Sequence, residues 1–132
     1  MMTALPSETR TVQTIEPLTP QQIFFSFEGR IARRTWWLYG VLALLGLGVL
    51  LTVLLRVVGL SARTTDIAVN LALLWPSLAI GIKRWHDRDK SGWWMLVYLL
   101  PVLGWLWGLV ENGFLRGSVG ANRFGDEVTG QQ

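Results

Sequence analysis

The chain has 132 residues, of which 51% are hydrophobic and only 16% are charged, and its mean hydropathy is positive. Its apolar runs are longer than soluble helices tolerate, so the composition excludes an ordinary soluble domain and is typical of a small membrane protein. No cysteine is present, which excludes a disulfide framework, a thiolate nucleophile and zinc-finger spacing. The net charge is +3 and the basic residues lie beside apolar runs, so we expect anionic lipid headgroups as their partners and no nucleic acid.

The two ends of the chain differ from its middle. Residues 1–18 are polar, contain two prolines and show no apolar period, so we expect a disordered tail there and a short disordered end at 128–132. Residues 19–127 are expected to form a single membrane domain. The fold class that we predict is all-α, with an interfacial helix, three transmembrane helices and an irregular, Gly-rich C-terminal tail.

An interfacial helix is predicted at about 20–33. Thr19 and Gln22 flank Pro20 in a capping-box pattern, which is typical of a helix start. Bulky apolar residues then alternate with charged ones, as in an element that lies in the membrane interface. Its aromatic side chains could contact lipid or pack on the protein's own helices, and the sequence favours neither.

Three apolar runs predict transmembrane helices at about 35–56, 65–82 and 93–111. The first run has 21 residues without a charge, which at 1.5 Å per residue cover the hydrocarbon thickness of about 30 Å. The third contains Gly104 and Gly108, a small-xxx-small face on which helix backbones can approach closely. We expect this face to serve an intramolecular contact in preference to a homodimer.

A charged loop is predicted at 83–92, where seven titratable side chains interrupt the apolar runs. Each charged side chain inside hydrocarbon costs about 3 kcal/mol, so this block is expected at one membrane face. With three spans, the amino-terminal side carries eight Lys and Arg residues against four on the other. The positive-inside rule then predicts a cytoplasmic amino terminus and loop, with the tail motif at 112–127 outside.

His86 and Asp87 are the residues in this block that could relay protons or act as a general base. Adjacent residues on a helix point about 100° apart, and Ser91 is interpreted as a helix cap and not as a nucleophile. One histidine without cysteine supplies too few ligands for a zinc site. We therefore predict no catalytic residue, no metal and no cofactor, and interpret Arg84, His86 and Asp87 as structural or partner contacts.

Other candidate contact residues lie outside this block. Arg30, Arg33 and Arg34 are predicted at the same membrane face, where they could hold lipid phosphates, contact an acidic partner or act only as topology signals. Asn122 and Arg123, in the tail, could cap the bundle or contact a partner. The sequence leaves these alternatives open.

Three separated motifs resemble a known family, the small bacterial inner-membrane proteins grouped as domain of unknown function 805. The motifs are FSFEGRIAR at 25–33 followed by Trp36 and Trp37, Pro76 leading into KRWHD at 83–87 with SGWW at 91–94, and GANRFGD at 120–126. This chain departs from the family pattern by having Lys83 in place of an arginine and Trp85 in place of a leucine. The resemblance implies a polytopic inner-membrane protein and brings no activity.

The sequence therefore predicts a non-enzymatic integral inner-membrane protein that acts by association with itself, with lipids or with a larger membrane complex. An alternative is a small oligomeric transport or channel subunit, although Asn70 and a few Ser and Thr residues offer little polar lining. A third reading is an interfacial enzyme that uses His86 and Asp87.

Overall fold

The computed structural model describes residues 18–128, in which the regular structure is entirely helical. The tails predicted at 1–18 and 128–132 lie outside the described residues, except for Leu18 and Val128. The helices, in chain order, are α1 (Pro20–Phe25), α2 (Arg33–Val57, which is π-helical over Trp36–Ala43), α3 (Ala62–Asp87), a 3₁₀ helix (Gly92–Leu99), α4 (Leu103–Leu109) and a π-helical turn (Val110–Phe114).

The interfacial helix is shorter than predicted, because α1 ends at Phe25. The capping box at its start is confirmed: the Thr19 side chain accepts from the Gln22 amide, and the Gln22 side chain accepts from the Thr19 amide. The prediction of a helix over 20–33 is wrong beyond Phe25. Ser26 is extended, and Gly29 has φ +94°, a left-handed conformation that a helix interior does not allow. The chain therefore reaches α2 through an irregular segment.

The aromatic side chains of this first part pack mainly on the protein's own helices. Phe24 meets Tyr39 edge to face with ring centroids 5.7 Å apart, and Phe27 stacks on Trp75 at 4.5 Å. Ile23 is buried in the core cluster that also contains three residues of the following segments. These are Ile31, Leu44 and Ile80.

Helices α2 and α3 form an antiparallel pair joined by a tight turn. At the end of α2, the Leu60 amide donates to the Leu55 carbonyl at 3.1 Å, and the Gly59 amide donates to the Arg56 carbonyl at 3.1 Å. This pair of bonds is a Schellman motif, and Gly59 has the positive φ (+98°) that the motif requires. Ser61 then caps α3 by accepting from the Thr64 amide.

The charged loop predicted at 83–92 is also shorter than expected, because α3 continues to Asp87. A second Schellman motif ends this helix: the Lys90 amide donates to the Trp85 carbonyl, and the Asp89 amide to the His86 carbonyl, both at 2.9 Å. Asp89 has φ +56°, the position that glycine usually takes. The helix can continue through charged residues because their side chains are paired inside the protein.

The third span predicted at about 93–111 is wrong as a single helix. The 3₁₀ helix Gly92–Leu99 and α4 run antiparallel, and we call residues 92–109 the apolar hairpin. The reversal is a γ-turn, in which the Leu103 amide donates to the Pro101 carbonyl at 2.8 Å across Val102 (φ +63°). Since Lys90 Nζ and Glu111 Oε1 are 2.9 Å apart, the two ends of the segment lie side by side.

The small-xxx-small face of the third segment is used inside the hairpin, as predicted. A Cβ atom on Gly104 would lie 1.8 Å from the Val97 carbonyl oxygen, and one on Gly108 would lie 2.4 Å from the Tyr98 ring. The Trp105 indole also donates to the Tyr98 carbonyl at 2.9 Å. The glycines therefore allow the two arms of the hairpin to touch through their backbones.

Two helices among the described residues, α2 and α3, are long and apolar enough to cross a membrane. In their most apolar 18-residue windows, only 6% of the residues of α2 and 28% of those of α3 are buried. The core helix of a soluble protein would be mostly buried, so these apolar faces need another environment.

We expect Gly104→Ala to destabilise the hairpin by about 2 kcal/mol or more, because the added methyl group overlaps a backbone carbonyl that cannot move independently. The matched control is Gly46→Ala in α2, where a Cβ atom meets nothing within 4 Å, and alanine improves helix propensity by up to about 1 kcal/mol. Unfolding of both variants in mixed detergent micelles measures the difference. Equal stability of the two variants would contradict the close contact.

Candidate functional site

A buried ion cluster lies where α3 ends, and Asp87 is at its centre. The Asp87 side chain is fully buried and pairs with two arginines, one for each carboxylate oxygen. Arg30 Nε donates to Oδ1 at 3.0 Å, and Arg84 Nη1 donates to Oδ2. We call Arg30, Arg84 and Asp87 the Asp87 cluster.

Arg30 joins the Asp87 cluster to the C-terminal tail. Its Nη1 donates to the carbonyl oxygens of Gly120 at 2.8 Å and Gly125 at 3.3 Å, and its Nη2 donates to that of Ser118 at 2.7 Å. Ser118 in turn donates from its backbone amide to the Asp87 carbonyl at 2.7 Å. The segment before α2, the end of α3 and the tail are therefore bonded to one another around a single carboxylate.

Arg84 joins the same cluster to the segment that follows the hairpin, at and just after the π-helical turn. Its Nε donates to the Asn112 carbonyl at 2.7 Å and its Nη2 to the Leu115 carbonyl at 2.5 Å. Gly117 passes so close to Asp87 that a Cβ atom there would lie 2.0 Å from Oδ2. Only glycine fits at that position of the tail while the carboxylate keeps both arginines.

His86 is held between two chain segments beside the cluster. Its Nδ1 is 3.0 Å from the Gly29 carbonyl oxygen, and its ring stacks on Phe124 with centroids 3.9 Å apart and planes 2° from parallel. Asn122 donates from Nδ2 to the His86 carbonyl at 2.8 Å and to Ser118 Oγ at 2.8 Å. Tail and helix end thus meet over the imidazole, and the adjacent Asp87 points to the arginines instead of to His86.

A second ion group, which sequence reasoning missed, closes the hairpin. Glu111 accepts from Arg88 Nε at 3.0 Å and from Lys90 Nζ at 2.9 Å. Burial alone would raise the pKa of Glu111, but hydrogen bonds and charges from Lys90 and Arg88 hold that pKa below its usual range. Lys90 Nζ also lies 4.6 to 5.9 Å from the ring centroids of three tryptophans, Trp85, Trp94 and Trp107.

A signal for Glu111 was present in the sequence, because it is the only acidic residue between Asp89 and Asp126.

The role of Lys83 was missed for another reason. The residue was assigned to the charged loop at the membrane face, whereas the structure buries it at the end of α3 and directs Nζ to the carbonyl oxygens of Gln22, at 2.9 Å, and Ser26. Lys83 thereby fixes α1 against α3.

The remaining candidate residues lie at the edge of these groups. Arg33 donates to the Phe114 carbonyl at 2.9 Å, and Arg123 pairs with Asp89 at 3.3 Å in an exposed ion pair. Arg34 is exposed. The structure therefore brings Arg30, Arg84, His86, Asp87 and Asn122 together and leaves the other three around them.

Within residues 18–128, no group of three or more His, Cys, Asp or Glu side chains is arranged to hold a metal ion. Both oxygens of Asp87 are engaged by arginines, so the carboxylate has the contacts of a structural ion pair. Asn70, the polar residue considered as a channel lining, donates to the Asp66 carbonyl of its own helix at 2.7 Å.

These features define a small helical protein that has a pair of apolar helices, an apolar hairpin and a charged cap. The chain belongs to the DUF805 family of proteins of unknown function, whose sequence model matches residues 24–126. The match spans the three motifs of the resemblance, which is thereby confirmed.

Relatives from Escherichia coli K12 include two inner membrane proteins. The chain is 33% identical over 104 residues to the inner membrane protein YhaI, with 79% of this chain and 86% of YhaI covered. It is 34% identical over 109 residues to the inner membrane protein YhaH, with 79% of this chain and 88% of YhaH covered. A third relative, the uncharacterised protein YiiR, is 31% identical over 135 residues, covering 84% and 91%. No solved structure matches the chain.

We expect Asp87→Asn to destabilise the protein by about 3–5 kcal/mol, because the amide leaves two buried arginines without a counter-charge. The matched control is Asp89→Asn, whose side chain is 45% exposed and whose left-handed backbone asparagine tolerates, with an expected cost below about 1 kcal/mol. Detergent unfolding curves of the two variants give the comparison. Near-equal midpoints would show that the Asp87 cluster contributes little.

Proposed function

We propose that this chain is a non-enzymatic inner-membrane protein that acts by association, with lipid and with other membrane proteins. The observation that carries the proposal is that the clustered polar groups of the chain face inward, whereas the apolar groups of its long helices face outward. The Asp87 cluster directs its hydrogen bonds inward to the chain itself, whereas the long helices present apolar side chains outward. Association through membrane-embedded surfaces is the activity that such a distribution favours.

Inner-membrane location is supported by the two apolar helices and by the relatives YhaI and YhaH. We propose two complete spans, α2 and α3, in place of the three expected. The apolar hairpin is then a re-entrant segment: its 3₁₀ arm of eight residues rises about 2.0 Å per residue, roughly 16 Å, or about half of the 30 Å hydrocarbon core. Gly104 and Gly108 are buried where its two arms touch, and enclosure by protein is the condition under which irregular backbone is tolerated at membrane depth.

In this arrangement the two described ends of the chain lie at the same membrane face. The charged end of the bundle then carries nine of the Lys and Arg residues of the described chain, and the turn between α2 and α3 carries only Arg56 and Arg63. With three spans, the same described residues give a ratio of seven to four, so the asymmetry is larger with two. The positive-inside rule assigns the charged end to the cytoplasm, and the tail with it.

Single cysteines test this topology directly, because the native chain contains none. In spheroplasts, a membrane-impermeant maleimide is expected to label Ser61→Cys and to leave Gln21→Cys and Val119→Cys unlabelled until the membrane is permeabilised. All three positions are exposed on the protein surface. Labelling of Val119→Cys together with Ser61→Cys would restore the third span and place the tail outside.

Association is tested by gentle extraction from the native membrane followed by mass spectrometry of the intact particles. We expect particles that contain more than one protein copy or a stoichiometric membrane partner, with retained phospholipid. Monomers free of both lipid and partner proteins would contradict the proposal. The matched control is the Asp87→Asn variant. The composition of its particles shows whether association depends on an intact Asp87 cluster.

A further inference from the structure

A cavity of about 270 Å³ lies between α2, α3 and the apolar hairpin. It exceeds the roughly 150 Å³ of an apolar cavity that admits benzene. Most of its lining is apolar, with two hydroxyl groups, and consists of Trp36, Gly40, Leu44, Ser77, Ile80, Gly81, Met95 and Tyr98.

We propose that this cavity binds one acyl chain of a membrane phospholipid whose phosphate lies at Arg33. The inference rests on the membrane location proposed above and deepens it by naming a ligand.

Two glycines of the lining allow neighbouring elements to approach closely. A Cβ atom on Gly40 would lie 2.9 Å from Ile80, and one on Gly81 would lie 2.7 Å from the Met95 sulfur. Gly40 therefore brings α2 against α3, and Gly81 brings α3 against the hairpin, at the edges of the cavity. Ser77 lines the cavity and is exposed on the outside of α3, so the cavity opens laterally toward the lipid.

The cavity begins next to a basic residue at the start of α2, which favours a phospholipid as the ligand. Trp36, Gly40 and Leu44 follow one another at intervals of four residues, so they line one side of the helix from its charged start inward. Arg33 precedes Trp36 by one turn and donates one of its five N–H groups to the Phe114 carbonyl. A chain that follows this line has its headgroup at the guanidinium, which binds phosphate well.

Two hydroxyl groups belong to the lining of the cavity. Tyr98 accepts from Asn112 Nδ2 at 3.0 Å through its phenolic oxygen, so its own O–H can be donated to a ligand oxygen. Ser77 provides a second hydroxyl in the same lining. A lipid ester oxygen can accept from such a hydroxyl, whereas a purely apolar ligand would leave it unused.

The test reconstitutes the full-length protein with phosphatidylglycerol that carries a photoactivatable diazirine midway along one acyl chain. Peptide mass spectrometry then locates the labelled residues. We expect labelling of Leu44, Ile80 and Met95, above that of Val49 and Leu54, which are exposed on the outside of α2. The wild-type pattern is decisive without any variant.

Ser77→Phe fills the opening, and Ala72→Phe is the matched control, because Ala72 is exposed on the same helix and outside the cavity lining. We expect Ser77→Phe to lower cavity labelling about tenfold, the effect of removing two methylene groups from apolar contact. Ala72→Phe should leave it unchanged.

Three outcomes distinguish failure of the acyl-chain site from failure of the proposed membrane location. Equal labelling of the cavity and of Val49 and Leu54 would mean annular lipid contact only, and would overturn the binding site. Labelling of Val49 and Leu54 without the cavity would also overturn it and leave the membrane location intact. No labelling of any helix in well-folded protein would overturn the membrane proposal itself.

Discussion

The carboxylate of Asp87 is the group around which the rest of the polar structure is arranged. Burying two arginines beside one aspartate leaves an excess of positive charge, and an unpaired charge away from water is costly. Five backbone carbonyls, three around Arg30 and two around Arg84, supply the missing negative potential through their dipoles. The segments that carry these carbonyls must therefore come to the end of α3, and the irregular tail takes its path from that requirement.

The same constraint explains why charge did not end the helix. A run of lysine, arginine and aspartate side chains predicts a solvated loop when each charge is treated as isolated. In the folded chain, Lys83 and Arg84 bond to carbonyls on α1 and on the segment that follows the hairpin, so neither needs water and the helix continues for another turn and a half. The partners are supplied from residues far away in the sequence, which local patterns do not contain.

Sequence reasoning succeeded where the signal is local or compositional. The capping box at Thr19 and the long apolar helix after Arg33 were readable from residue types and motifs. The same motifs singled out Arg30, Arg84 and Asp87, which the structure brings into one ion cluster. It failed for the hairpin because an apolar run of this length fits one span or two short arms equally well. The discriminating facts are the γ-turn at Val102 and the pairing of Glu111 with Lys90, and both depend on three-dimensional contact.

The proposed re-entrant hairpin would give the molecule an uneven cross-section in the membrane. If α2 and α3 cross the whole bilayer and the hairpin enters only one half of it, the protein occupies more area in the leaflet next to its charged end than in the opposite one. A body of this shape is a wedge, and a flat bilayer must deform or redistribute lipids around it. The free energy of this bilayer deformation falls when the membrane is already curved in the matching direction. The distribution of such a protein in the cell would therefore depend on membrane curvature as well as on any specific partner.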